Sequence, residues 1–200
     1  LVRSMPAGVA EAYHPGLATN TGGWSQTDYT DLIAAAQFGV GLIALTVGGW
    51  AVSKIGAQRS ALAICILICL FALGFGLASA SWQSRPLLTA YFLQHEFFVT
   101  MASVAFIPIA MRLCDPRVAA TQFTLYMAAS NVGRPLGNSV AAAADEAGRP
   151  ELMYLVLAAV FGVLALIMAF VRFPTRAPEV EELIEAKQPV DPEEPSPSIN

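Results

Sequence analysis

Four stretches, near 32–51, 61–81, 87–111 and 152–173, are apolar almost without interruption, each with about the 20 residues a helix needs to cross a bilayer. Hydrocarbon offers backbone amides no partner, so segments of this kind must satisfy their hydrogen bonds internally, as helices. The chain is thereby constrained to an all-α membrane bundle. Only 13% of its residues are charged, about half the share in an ordinary soluble domain. A fifth stretch, 118–144, is apolar at its ends but holds Asn131, Arg134 and Asn138 in its middle. Residues 1–15 read as the end of a further span, interrupted at Pro6. Because Leu1 is not an initiator methionine and no signal peptide precedes the first span, the chain reads as the rear part of a longer protein. The expected fold is five complete transmembrane helices plus the end of a sixth.

The net charge of −4 misleads. Seven of the 15 acidic residues lie after Arg176, in a Pro-rich segment with the single base Lys187. Residues 174–200 therefore read as a disordered acidic tail, and 1–173 as the membrane bundle, slightly basic. Three cysteines make no disulfide framework. Cys65 and Cys69, one turn apart on an apolar face, read as small hydrophobes. No metal-ligand cluster, Ser/His pair or basic nucleic-acid patch is visible, so the chain is expected to be no enzyme, without cofactor or metal.

Lysine and arginine set the orientation. Lys54, Arg59, Arg112, Arg117, Arg172 and Arg176 fall in one set of connections, and only Arg85 and Arg149 in the other. The first set and the C-terminus are expected in the cytoplasm. Trp24, Tyr29, Trp50 and Trp82 fall near span ends, as an interfacial aromatic belt requires. Gly41, Ala44 and Gly48 in the first complete span, with Gly133 and Gly137 in the fourth, are the small residues that let membrane helices approach closely.

An ionisable residue inside a span is a functional-site hypothesis by default. Glu96, with His95 beside it, lies in the third complete span, and Thr100 and Ser103 follow on the face of Glu96. Thr124, Asn131, Arg134 and Asn138 make a second polar stripe in the fourth. At 1.5 Å per residue, Glu96 sits roughly 4 to 5 Å and Arg134 roughly 6 Å outward of their span midpoints, at one level. Either the two pair or they form two walls of one substrate cavity. Arginine stays charged and can hold a carboxylate or phosphate with two parallel hydrogen bonds, whereas Glu96 can exchange a proton. Asn131, Asn138 and Gln37 offer neutral hydrogen bonds to a substrate. Pro135 removes a helical hydrogen bond and frees a carbonyl near Asn131, so a kink is expected beside Arg134, with a second one at Pro108.

The connection "GGWAVSKIGAQRSA" resembles the loop signature of the major facilitator superfamily, through Gly49, Lys54, Gly56 and Arg59, with Ser53 and Gln58 departing from it. Ala120, Thr121, Gln122 and Phe123 together with Val132, Gly133 and Arg134, and Glu96 in its aromatic setting, are similar to the peptide–acetyl-coenzyme A transporter branch, which includes bacterial muropeptide permeases. The resemblance implies the C-terminal six-helix half of a major facilitator fold in a bacterial inner membrane. The implied activity is proton-coupled import of a muropeptide or related organic anion by alternating access. Its partners would be the bilayer, a small-molecule substrate, protons and an N-terminal half lying outside this chain. Alternatives are a siderophore or other organic-anion transporter, and a non-transporting membrane sensor that recruits a cytoplasmic protein through the tail.

Overall fold

The computed structural model describes residues 2–115 and 117–171; the acidic tail, Arg172 and Arg176 lie outside these. The described residues form helices joined by short turns, with no strand among them. After a 3₁₀ turn (Val2–Ser4), α1 runs over Met5–Gly16 and continues through a π turn, Leu17–Thr21. Pro6 opens α1 instead of interrupting it. At the first helical turn proline's missing N–H has no partner to lose.

Next, α2 (Gln26–Ala35), a π turn (Ala36–Val40) and α3 (Gly41–Ile55) make one helix of 30 residues. It starts six residues before the apolar tract does. The Ser25 hydroxyl accepts from the Asp28 amide at 3.0 Å while the Asp28 carboxylate accepts from the Ser25 amide at 3.3 Å. This capping box satisfies two amides that would otherwise lack partners. Gly56, at φ +87°, makes the turn into α4 (Ala57–Leu77) in a conformation that side chains resist. A short 3₁₀ turn (Ser79–Ser81) leads to α5 (Arg85–Arg112), unbroken through Pro108. The tract 118–144 is not one helix. It forms α6 (Ala119–Asn131) and α7 (Gly133–Glu146), divided at Val132, three residues ahead of Pro135. The last helix among the described residues is α8 (Glu151–Phe170).

Among the described residues four helices are long and apolar enough to cross a membrane: Gln26–Ile55, α4, α5 and α8. The principal packing pairs are α4 with α8, α1 with α7, α3 with α5 and α4 with α5. One end of the bundle is closed by an aromatic cluster. Phe75 stacks on Tyr91 at 3.6 Å and on Trp82 at 5.1 Å, and Tyr154 meets all three edge-on. Trp24 and Trp82 sit at helix ends, as expected, but are buried in this cluster and its surroundings, whereas Trp50 is exposed. At the opposite end Gln58 donates to the Met168 and Val171 carbonyls at 3.1 and 2.6 Å. One of the two residues that depart from the loop signature thus caps the end of α8.

Candidate polar site

Helix α1 meets α7 with almost no side chain between them. A methyl group built on Gly8 would strike the Arg134 carbonyl, and one on Gly137 would strike the Met5 carbonyl and the Val9 amide. Gly133 and Gly137 are both buried. The stripe of small residues therefore serves a backbone-to-backbone crossing.

That crossing brings Glu11 to Arg134. Arg134 Nη1 lies 3.1 Å from Glu11 Oε1, with 55% and 52% of the two side chains still exposed. Asn131 and Asn138 share the exposed face of Arg134, being one turn away on either side of it. Glu96 is half-buried on α5, with the Gln37 side chain nearby. Gln37 lies in the π turn Ala36–Val40, the kind of helix irregularity found often at functional sites. Each member of the expected Glu96/Arg134 combination therefore has its own neighbour.

Depth relates these residues. Counted from the ends of their helices at the aromatic-cluster end, Glu11, Gln37, Glu96 and Arg134 all lie roughly 15 to 18 Å along the axis at 1.5 Å per residue. That is about half the thickness of a bilayer core. Four polar residues from two helix pairs share one layer.

A second cation lies on the other side of that layer. Arg3, half-buried, donates to Ser103 Oγ at 2.7 Å and to Ser130 Oγ at 3.3 Å. The Ser4 and Ser130 hydroxyls lie 3.1 Å apart. Ser103, on the Glu96 face of α5, thus holds an arginine of the first helical segment. His95 is buried away from Glu96, with its ring 4.9 Å from that of His14. His14 is packed among Tyr91, Phe92 and Tyr154, and its Nε2 has no hydrogen-bond partner among the described residues. Of the signature residues, Gly56 makes the α3–α4 turn, Lys54 ends α3 and Arg59 opens α4, while Gly49 lies in α3 with open space around it.

Glu11, Arg3 and His14 were missed from the sequence. Arg3 and Glu11 lie eight residues apart in a segment read only as the end of a span, too short for its polar residues to be assigned a depth.

The chain matches the model of the Major Facilitator Superfamily over residues 4–198. It belongs to the major facilitator superfamily. No curated protein and no solved structure matches it. Members of the superfamily are membrane transporters, and this one is an integral membrane protein whose long apolar helices agree with that role. In a facilitator, charged side chains exposed at mid-membrane depth do not face lipid, where an ion is costly, but a wet cavity or other protein. Asn131, Arg134 and Asn138 are all exposed.

Proposed function

We propose that the chain is the C-terminal six-helix half of a twelve-helix, proton-coupled importer of an organic anion, of the peptide–acetyl-coenzyme A transporter branch and with a muropeptide as substrate. In this reading residues 1–15 end helix 7, the spans near 32–51, 61–81, 87–111, 118–144 and 152–173 are helices 8 to 12, and residues 174–200 form a cytoplasmic tail. The membrane is the bacterial inner membrane. The observation that carries the reading is the mid-depth layer: an exposed arginine with two asparagines on its face, and a carboxylic acid on the next wall. Arg134 binds the substrate's anionic group. Asn131, Asn138 and Gln37 hydrogen-bond its neutral part. Glu96 takes and releases the coupled proton, with His95 buried behind it.

Such sites sit near the midplane between two repeats that rock about them, so a six-helix unit supplies one wall and an N-terminal half the other. The layer's place and the exposure of its polar face support this arrangement. The test uses the full-length transporter in proteoliposomes under an inwardly directed proton gradient, with a labelled disaccharide-peptide, a ferric siderophore and a neutral disaccharide. Gradient-driven accumulation of the disaccharide-peptide is expected, with Glu96→Gln losing accumulation while retaining exchange across equal pH. Accumulation that survives in Glu96→Gln removes this residue from coupling, and uptake of the siderophore instead moves the substrate to the other organic anions.

A further inference from the structure

The geometry points to Glu11 as a tethered competitor for the anion site, a carboxylate built into the protein that occupies Arg134 when substrate is absent and must leave it when substrate binds. This deepens the anion-transport reading and rests on it.

Arg134 presents one planar fork of donors, the geometry that holds a carboxylate with two bonds. In the structure one of its terminal nitrogens is already engaged by a carboxylate oxygen, 3.1 Å away. Glu11 occupies the position that a substrate carboxylate would need. The pair is fixed in place by backbone and not by chance reach of two long side chains. Gly8, three residues before Glu11, abuts the Arg134 carbonyl itself, so the helix segment that carries the acid is pressed against the residue that carries the base. More than half of each side chain is nevertheless accessible, so the Glu11 carboxylate can swing from the guanidinium without opening the α1–α7 contact. The other nearby cation, Arg3, is directed to Ser103 and Ser130. Among the described residues, Glu11 is the acid in ion-pair contact with Arg134.

The consequence is a specificity filter. A site whose arginine is already satisfied does not capture any passing anion, and only a ligand that also engages Asn131, Asn138 and Gln37 displaces the tethered acid. Apparent affinity falls by the fraction of time Arg134 is free. If Glu11 occupies it for about 70 to 90% of the time, removing the carboxylate lowers the apparent KM about three- to tenfold. Substrate range widens toward simple anions at the same time.

The experiment measures uptake of a labelled disaccharide-peptide carboxylate by the full-length protein, with KM and kcat separated, for wild type, Glu11→Gln and Glu11→Asp. Glu11→Gln is expected to lower KM by that factor and to make uptake sensitive to competition by lactate, with Glu11→Asp between it and wild type because its shorter arm reaches Arg134 less well. An unchanged or raised KM in Glu11→Gln, with wild-type uptake intact, overturns the competitor role while leaving the transport reading standing. Absence of wild-type uptake of any anion overturns the transport reading and this inference together. Loss of the folded state in both variants, read by thermal unfolding, would make the pair a helix staple and also overturn the inference.

Discussion

Arg134 stands in the first turn of α7, just after the division at Val132. Its backbone carbonyl lies against Gly8, its guanidinium meets Glu11, and its neighbours one turn away are two asparagines. An ion pair this open to water contributes about 0 to 1 kcal/mol, so it can be exchanged for another anion. Arg3 is different, half-buried with two serine hydroxyls accepting from it. Ser103→Ala should leave a guanidinium donor without its acceptor and lower stability by about 1 to 3 kcal/mol. Denaturant unfolding in detergent checks this; a loss no greater than that of Ser53→Ala, whose exposed hydroxyl bonds only the Trp50 carbonyl, would mean that water replaces the serine. An expectation for the levels of Glu96 and Arg134 could be drawn from residue counts alone. Their partners could not, because Gln37 and Glu11 come from helices whose rotation about their own axes no residue count supplies.

Among the elements, the long apolar helices were legible, whereas residues 1–15 were read as the end of a span interrupted at Pro6, the residue at which α1 instead opens. Spans near 61–81 and 152–173 fall where α4 and α8 do, since hydropathy and length decide such helices. Residues 5–16 hold Glu11, His14 and two prolines, and nothing in their composition separates a membrane helix from a loop. What places α1 is the backbone contact of Gly8 and Gly137 with each other's helix, a tertiary property. The division at Val132 was foreshadowed by Pro135, which cannot donate to the turn before it, whereas Pro108 leaves α5 continuous. Gly8→Ala should therefore destabilise the α1–α7 pair by about 1 to 3 kcal/mol, because the clash is with backbone and cannot be relieved by a rotamer change. Gly74→Ala, where a methyl group meets nothing within 4 Å, is the control and should show no loss. Equal thermal stability of the two variants would contradict the close crossing.

At the scale of the whole molecule, membership of the major facilitator superfamily explains why the bundle leaves large apolar side chains exposed along Gln26–Ile55, among them Phe38, Leu42, Ile43 and Trp50. Lipid and the proposed second half are their counterparts. The exposure of Arg134 and its neighbours agrees with the proposed cavity between two halves. The measurement closest to the central claim is uptake of a labelled disaccharide-peptide by full-length protein carrying Arg134→Lys. Lysine keeps the charge and loses the fork. The account predicts a fall of about tenfold or more in kcat/KM for the carboxylate substrate, equivalent to about 1.4 kcal/mol of lost binding in the transition state, with protein level and thermal stability close to wild type. Undiminished uptake by a folded Arg134→Lys protein would contradict the assignment of the anion site.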